Sequence, residues 1–354
     1  MPPFPLLCTL VAAALAQRPL DADAIAAIAW DRVDWRRLVR LSGTHLLTPA
    51  LAAPLADPAL DLRVSDELRD YLAAMHDAAR ERNLALREQV VEVATSLNRI
   101  DVVPVLLKGA IRLVDGLWPD PALRFMHDLD LLVPEDDLWQ CVAQLARTGW
   151  RPYDEGRQDL SQHVILVHPD APVRIELHRQ PLSGELVELL PAARMLTRAS
   201  TMPLGDAVVA VPCHEDQLVH LVAHGMLQHA FLRNGRCVLR ELVELKLLLA
   251  STNGREIELA RERFAAMGQA LAWDVSLELA ARCLGGVPAA ESLTARILAT
   301  RMLMQQRWAW AMLLLGPLGW AVALLAAHRP DGPIPLDPRR LATRLKVFRR
   351  KTMW

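Results

Sequence analysis

Apolar residues recur at helical spacing through the first hundred residues of the chain. Between residues 23 and 41 this spacing predicts a helix with one buried face. A longer pattern of the same kind covers residues 65–98, where Ser65 is a suitable N-cap and Glu67 lies in the first turn. The pattern therefore predicts an N-terminal helical region over residues 1–100.

The pattern changes at residue 101, where the apolar run becomes short and β-branched. Residues 101–107 predict a buried strand, which ends at Lys108 and Gly109. Residues 110–117 then predict a short helix. The segment Trp-Pro-Asp-Pro at 118–121 closes that helix, because proline cannot continue it.

Three more strands are predicted in the middle third of the chain. Residues 127–133 have the alternating character of a strand with one buried face. Residues 163–168 and 173–178 are the other two candidates, and the prolines between them predict a hairpin. Residues 134–148 predict a helix that ends at Gly149.

Helical spacing resumes at residue 213 and dominates the chain from there on. The order of elements predicts an α+β fold, in which a small mixed sheet lies between two helical regions. We place the α/β core at residues 101–200 and a C-terminal helical region with a basic tail at residues 201–354. These boundaries depend on the change of pattern alone, because no low-complexity linker marks them.

Composition limits the classes of protein to consider. The 354 residues are 52% hydrophobic, which is enough for a large buried core. Forty basic and forty-one acidic residues leave a net charge of −1, so no overall field attracts nucleic acid or an anionic membrane. The five cysteines lack the paired spacing of a structural zinc site or a disulfide framework. We therefore expect a cytoplasmic protein that does not bind nucleic acid.

Two apolar runs resemble targeting or membrane segments. Residues 5–16 end in Ala-Leu-Ala, like a signal-peptidase site, but no basic residue precedes them. We interpret them as part of the folded chain. Residues 308–327 carry no charge and have about the length of a bilayer span. Gly316 and Pro317 interrupt this run, so we favour two short buried helices over a membrane anchor.

The basic tail over residues 339–351 carries seven positive charges interleaved with apolar side chains. This spacing is compatible with an amphipathic helix that makes peripheral contact with an anionic membrane. It is also compatible with a solvated terminal helix, which is the interpretation that we favour.

Two aspartates on the predicted strand at 127–133 are the first candidates for chemistry. Because side chains alternate along a strand, Asp128 and Asp130 lie on the same face. Aspartates are common in solvated turns, but this pair lies between apolar residues, where unpaired carboxylates cost free energy. Magnesium, which binds carboxylate oxygens and substrate phosphates, is the natural partner.

Glu176 is the third carboxylate of this set. It lies on the predicted strand at 173–178, on the same face as Arg174 and His178. Three acids carried by strands can converge, and the arrangement suits phosphoryl transfer with two metal ions. We therefore expect two magnesium ions on these three acids.

The turn after the first predicted strand suits a phosphate group. Lys108 and Gly109 stand where a strand passes into a helix, so backbone N–H groups at the helix N-terminus can face phosphate. Gly109 would permit close approach, and Lys108 would add positive charge. Arg124, four residues before Asp128, either pairs with the acid cluster or contacts a triphosphate.

Four short motifs and one arginine lie between residues 100 and 180. They are Leu-Leu-Lys-Gly-Ala at 106–110, Leu-Trp-Pro-Asp-Pro at 117–121, Arg124, His-Asp-Leu-Asp-Leu-Leu-Val at 127–133 and Ile-Glu-Leu-His at 175–178. Together they resemble the uncharacterised nucleotidyltransferase family, a minimal branch of the DNA polymerase β-type superfamily. The helical segments on both sides also resemble that family's flanks, so the likeness extends loosely over most of the chain.

The resemblance implies a nucleotidyltransferase core with magnesium on the two aspartates and the third acid. Lys108, Gly109 and Arg124 would lie near the triphosphate of a nucleoside triphosphate. The implied reaction transfers a nucleoside monophosphate to a hydroxyl-type acceptor, a small molecule or a protein, and releases pyrophosphate. The alternative is a catalytically inactive member of the same fold that binds a nucleotide or a protein partner.

The chain departs from the wider superfamily at two positions. Lys108-Gly109-Ala110 stands where Gly-Ser or Gly-Gly is usual, so the serine contact to phosphate is missing and Lys108 would replace it. The third acid is Glu176 where aspartate is commoner, which lengthens the side chain but keeps the ligand type.

Three histidines lie in the helical pattern after residue 213. His220 and His224 share a helix face at a spacing that can bind a transition metal, and His229 lies nearby. No glutamate follows His220 in the position that metalloproteases use. We favour packed and hydrogen-bonded histidines over a metal site.

Five further residues are weaker candidates for a functional role. Arg240, Glu241 and Glu244 form either a solvated charged face, which we favour, or a grip on the acceptor. Cys141 and Cys213 lack any arrangement that activates a thiolate, so we interpret both as buried small side chains.

Overall fold

The computed structural model of the chain describes residues 2–153 and 162–307. Its strands are β1 (Val105–Leu106), β2 (Asp128–Leu132), β3 (Arg151–Pro152), β4 (His163–Val167), β5 (Arg174–His178), β6 (Ser200–Leu204) and β7 (Ala207–Val211). Its α-helices are α1 (Pro3–Leu15), α2 (Ala22–Ala27), α3 (Trp35–Thr44), α4 (Ala52–Leu55), α5 (Asp66–Asn98), α6 (Lys108–Ile111), α7 (Leu138–Ala146), α8 (Ala192–Arg198), α9 (His214–Val222), α10 (Phe231–Asn234), α11 (Leu239–Ser251), α12 (Gly254–Ala266), α13 (Ala270–Leu284) and α14 (Leu293–Arg307). A π-helical turn, Ala223–Gln228, follows α9 directly.

The strands of the described residues join one mixed sheet in the order β3-β4-β5-β2-β1-β7-β6. β2 pairs with β5 and β1 pairs with β7 in parallel, and the other neighbours are antiparallel. The predicted α+β fold and the predicted hairpin of β4 and β5 are confirmed. The parallel pair of β2 and β5 is the part of this sheet that carries the predicted acids.

One face of β2 and β5 is apolar. Leu129 and Leu131 from β2 and Ile175 and Leu177 from β5 are buried in a core that α5 and α7 cover. Cys141 of α7 lies in the same core, and burial raises the pKa of its thiol to about 12. Since side chains alternate along a strand, the opposite face is left for the acids.

Helix α5 begins at the predicted residue. The hydroxyl of Ser65 accepts a hydrogen bond from the backbone N–H of Leu68 at 3.4 Å. Asp66 and Glu67 follow in the first turn, where negative charge stabilises the positive end of the helix dipole. The predicted N-cap is therefore confirmed.

Two buried amides of α5 fix the chain on either side of the acids. Asn83 Nδ2 donates to the carbonyl oxygens of Pro121 and Arg124 at 2.6 and 3.0 Å, just before β2. Gln89 Nε2 donates to the carbonyl oxygen of Val173 at 2.8 Å, just before β5. One rigid helix thus sets the positions of both acid-bearing strands.

The apolar run at residues 5–16 forms most of a buried helix. Leu6, Leu7, Leu10 and Val11 of α1 are almost fully buried in a core shared with α9, α11 and α13. Apolar burial of this extent is a main source of folding free energy. The interpretation of this run as part of the folded chain agrees with the structure.

Several predicted elements differ in length from the observed ones. The predicted helix at 23–41 is divided into α2, a short 3-10 turn and α3. The predicted strand at 101–107 is reduced to β1, and the predicted helix at 110–117 to the single turn α6. The helical pattern at 213–250 is interrupted by the π-helical turn and α10. Apolar spacing indicates which residues are buried, but hydrogen-bond partners decide where each element ends.

The sheet continues past the expected end of the core at residue 200, because β6 and β7 add a hairpin beside β1. The division into three regions otherwise stays a prediction. Each helix within the described residues is too short or too polar to cross a bilayer. The apolar run at 308–327 and the basic tail at 339–351 lie outside the described residues.

Candidate functional site

Strands β2 and β5 bring the three predicted acids to one face of the sheet. Their parallel register places Asp130 opposite Glu176 and Asp128 opposite Arg174. Asp130 and Glu176 are buried, whereas the side chain of Asp128 is 30% exposed. Neighbouring strands lie about 4.8 Å apart, so these carboxylates belong to a single site.

Two basic side chains contact Asp130. Lys108 Nζ lies 2.6 Å from Asp130 Oδ1, and His178 Nε2 lies 2.7 Å from the same oxygen. Burial opposes the negative charge of Asp130, but Lys108 and His178 hold its pKa well below the usual range. Asp130 is therefore ionised at neutral pH.

Arg174 joins the other two acids. Its Nη2 lies 2.8 Å from Glu176 Oε1 and 3.3 Å from Asp128 Oδ2. Burial, together with the charges of Asp130 and Glu176, raises the pKa of Asp128. Burial has the same effect on Glu176, but His178 and Lys108 together outweigh it and lower the pKa of Glu176. Asp128 is thus the acid whose charge gains most from an added cation.

Among the described residues, the possible ligand atoms that lie within 4.8 Å of one another belong to His163, Glu176 and His178, and Asp128 and Asp130 add carboxylates beside them. Each of the three carboxylates offers two oxygens, and carboxylate oxygen is a donor that magnesium prefers. Lys108 and Arg174 already lie beside these oxygens, so positive charge is what the site stabilises. Arg174 and His178 were placed on this face by their spacing, although neither was predicted as a site residue.

The turn at Lys108 has an unusual backbone. Lys108 has a φ of 47°, in the left-handed region that favours glycine, and its side chain turns back onto Asp130. Strained residues of this kind cluster at functional sites. A Cβ on Gly109 would lie 2.7 Å from Met126 Cγ, so glycine is required for close packing against the segment before β2. Contact of this turn with phosphate stays a prediction.

Arg124 pairs with Glu244 of α11 and not with the acid cluster. Arg124 Nε lies 2.7 Å from Glu244 Oε2, and Arg112 Nε lies 3.0 Å from Glu244 Oε1. Burial opposes the charge of Glu244, but the two arginines lower its pKa to about 2. The solvated-face interpretation is therefore wrong for Glu244, which is buried and joins the core to the C-terminal helices. Triphosphate contact by Arg124 remains untested.

A cavity of about 270 Å³ lies between the Lys108 turn and α11. Lys108 and Arg124 line it from the core, and His224, Arg240 and Glu241 line it from the C-terminal region. Arg240 Nη1 donates to the carbonyl oxygen of Phe125 at 3.2 Å. The cavity therefore has a predominantly basic wall that begins at the Lys108 turn.

The three helical histidines pack against one another beside this cavity. His220 Nε2 donates to the carbonyl oxygen of Pro181 at 3.0 Å, and the rings of His224 and His229 meet edge to face at 4.3 Å. Burial, with the charge of Lys108, lowers the pKa of His220 to about 3, so this ring is neutral. Among the described residues, the group whose ligand atoms lie close enough together to hold a metal is His163, Glu176 and His178, which does not include them. The geometry agrees with packed histidines.

Two glutamates line the cavity. Glu244 is paired with arginines, whereas Glu241 has no ion pair or hydrogen bond to another described residue. Its neighbour Arg240 is directed to Phe125 instead. Burial raises the pKa of Glu241 to about 7. Ionisation of Glu241 in the free protein therefore costs free energy.

The substitution Glu241→Gln is expected to stabilise the protein at about pH 8 by about 1 to 2 kcal/mol. A carboxyl whose folded pKa lies above its ordinary value of 4.5 contributes stability at low pH that is lost as pH rises through about 7. Urea unfolding at about pH 8 and about pH 4 measures this difference. The exposed Glu262→Gln serves as the control, and an equal effect of Glu241→Gln at both pH values would contradict the prediction.

Comparison with known proteins gives one match. A family model described as an uncharacterised nucleotidyltransferase matches residues 31–285, which include all three acids, Lys108 and the cavity wall of α11. No curated protein and no solved structure matches the chain.

Proposed function

Because this chain belongs to the uncharacterised nucleotidyltransferase family, we propose that it transfers a nucleoside monophosphate from a nucleoside triphosphate to a hydroxyl-type acceptor. The reaction depends on magnesium and releases pyrophosphate. The oxygen of the acceptor forms a bond to the α-phosphorus, and the bond from that phosphorus to the pyrophosphate oxygen breaks.

One observation carries this proposal. The parallel pairing of β2 and β5 sets Asp128, Asp130 and Glu176 on one face, beside the Lys108 turn. Carboxylates that can hold divalent ions and a lysine that can reach phosphate suit phosphoryl transfer, because this reaction needs charge stabilisation and positioning more than covalent chemistry. The family match covers the same residues.

In this proposal Asp128, Asp130 and Glu176 hold two magnesium ions. When bound, the ions supply stabilisation of the charge on the attacking and leaving oxygens. Glu176 also accepts the proton of the acceptor hydroxyl. Lys108 exchanges part of its contact with Asp130 for a phosphate oxygen, and Gly109 keeps the turn close to the sheet.

The basic cavity beside Lys108 is the proposed entrance for substrate. Its volume of about 270 Å³ lies near the lower end for small-molecule sites. This size suits a small acceptor or a single protein side chain. Arg240 would neutralise phosphate charge there, and Glu241 would accept a hydrogen bond from the acceptor.

Proposals on nucleic acid, cellular location and membrane contact are based on the composition of the chain. Nucleic acid is not an expected partner, because the net charge of −1 provides no general attraction. The cytoplasm is the proposed location, since the scattered spacing of the five cysteines does not suit a disulfide framework, and cell fractionation checks this. Peripheral membrane contact by the tail over 339–351 would be detected as cosedimentation with anionic vesicles that is lost when the tail is removed.

The purified protein, incubated with magnesium and each nucleoside triphosphate in turn, tests the proposed reaction. Label on the α-phosphate is expected to appear in an acceptor from a cell extract or in the protein itself, with release of pyrophosphate. Label on the γ-phosphate is expected to leave with the pyrophosphate. Transfer of γ-label instead would identify a kinase. Saturable nucleotide binding with no transfer of either label would favour the inactive, nucleotide-binding alternative.

A further inference from the structure

A second set of potential ligands lies on the same face of the sheet. The antiparallel register of β4 and β5 places His163 opposite His178, two residues along from Glu176. The ligand atoms of His163, Glu176 and His178 all lie within 4.8 Å of one another. His163 Nε2 is 3.9 Å and His178 Nε2 is 3.7 Å from Glu176 Oε2. One oxygen is thus flanked by two imidazole nitrogens.

These distances are close to those around a bound ion. Bonds of about 2.0 to 2.2 Å from a metal to nitrogen and oxygen place neighbouring ligand atoms roughly 3 to 3.6 Å apart. An inward shift of the side chains would bring these atoms to that separation, and His178 Nε2 would give up its hydrogen bond with Asp130 Oδ1 to face the metal. A metal would enter where the two rings already converge, with centroids 4.8 Å apart.

The second ring nitrogen has a partner in His178 but not in His163. His178 Nδ1 lies 3.3 Å from the carbonyl oxygen of Gln180, and metal-binding histidines commonly donate their second N–H to such an oxygen. The Nδ1 atom of His163 is buried without a hydrogen-bond partner among the described residues. The hydrogen bond to Asp130 accounts for the position of His178, whereas the ring of His163 lies against Glu176 and His178 with its Nδ1 atom unsatisfied by the described residues.

We infer that His163, Glu176 and His178 form a binding position for a first-row divalent transition metal, with manganese favoured over magnesium. Imidazole nitrogen binds such metals, whereas magnesium keeps to oxygen donors. The position shares Glu176 with the proposed pair of magnesium ions, so a transition metal bound there would take the place of one of them. The role of this ion in transfer rests on the proposed function, but the binding position stands on its own geometry.

Manganese binding to the full-length protein tests the inference without reference to activity. Pulsed electron paramagnetic resonance of bound Mn²⁺ detects the nitrogen nuclei of coordinated imidazole. We expect coupling from two histidines in the unaltered protein. His163→Gln is expected to remove one of these couplings and to weaken Mn²⁺ binding on the order of tenfold or more. Magnesium, which binds the oxygen donors, is expected to compete with Mn²⁺ to about the same extent in His163→Gln and in the unaltered protein.

His168→Gln is the matched control, because His168 follows β4 directly and lies outside the cluster. It should keep both couplings and the original affinity. Thermal unfolding of both variants shows that each is folded. The inference is overturned if Mn²⁺ bound to the unaltered protein shows no nitrogen coupling, or if His163→Gln binds Mn²⁺ as tightly as the unaltered protein.

The two proposals fail in different ways. Transfer of α-label with magnesium, combined with no nitrogen coupling, would reject the transition-metal position and keep the proposed reaction. Two nitrogen couplings without transfer from any nucleoside triphosphate would keep the metal position and reject the reaction.

Discussion

Asp128→Asn is expected to reduce nucleotidyl transfer on the order of 10³-fold while the protein remains folded, because the variant loses one electrostatic stabiliser of the transition state. Asp128 is the least buried of the three acids, and its ion pair with Arg174 is 3.3 Å long. Burial and the neighbouring acids raise its pKa, so its charge destabilises the free protein at neutral pH. Removing this charge should therefore leave the stability unchanged or increase it.

Reduced transfer with unchanged or increased stability would distinguish a catalytic role of Asp128 from a role in folding. Transfer of α-label measures the first effect, and urea unfolding at neutral pH measures the second. Asp136→Asn, an exposed acid in the turn after β2, is the matched control and should change neither. Full transfer by Asp128→Asn would remove this residue from the mechanism. Asp130→Asn is a weaker test, because it also deprives Lys108 and His178 of their shared partner.

Glu244→Gln is expected to destabilise the protein by about 3 to 5 kcal/mol, because removing one partner of a buried ion pair leaves uncompensated charge. Arg112 and Arg124 both contact this carboxylate, and all three side chains are nearly inaccessible to solvent. Arg112 keeps Asp115 and Gln217 as partners, and Arg124 keeps the carbonyl of Phe125. The loss should therefore be large without abolishing folding.

The effect of Glu244→Gln should depend on pH. A carboxyl whose folded pKa of about 2 lies below its ordinary 4.5 contributes stability above pH 4.5, and that stability is lost as pH falls toward 2. The difference in unfolding free energy between the variant and the original protein should therefore shrink from about pH 7 to about pH 3. The exposed Glu262→Gln should show no such difference. A destabilisation that is equal at both pH values would indicate lost packing instead of lost charge.

Loss of the ion pairs that Glu244 makes with Arg112 and Arg124 is also expected to loosen one wall of the cavity. Glu244 lies one turn after Arg240 and Glu241 on α11, so its two arginines hold that wall against the core. Transfer activity of Glu244→Gln, measured at a temperature where the variant is folded, should fall less than that of Asp128→Asn. The reason is that Glu244 positions the wall, whereas Asp128 contacts the reacting groups in the proposed mechanism.

Local patterns in the sequence determined many of the helices, strands and turns of this protein and the face on which each side chain lies. Alternation along β2 and β5 placed Asp128 with Asp130, and Glu176 with His178, on one face of each strand. Ser65 marked the start of α5, and the prolines at 169–172 marked the hairpin. These features depend on a few neighbouring residues, because side-chain periodicity, caps and turns are decided within about two helical turns of chain.

Only the tertiary structure decided which of these patterned elements meet. Alternation fixes the face of a strand but not its neighbour, so the pairing of Asp130 with Glu176 could not be read from either segment. Arg124 was predicted to pair with the acid cluster or to contact a triphosphate, and the structure gives it a partner 120 residues away, Glu244. His163 joins the site only through the register of β4 on β5. Contacts between distant residues depend on the packing of the whole chain, because closing long loops costs entropy that only many simultaneous contacts offset.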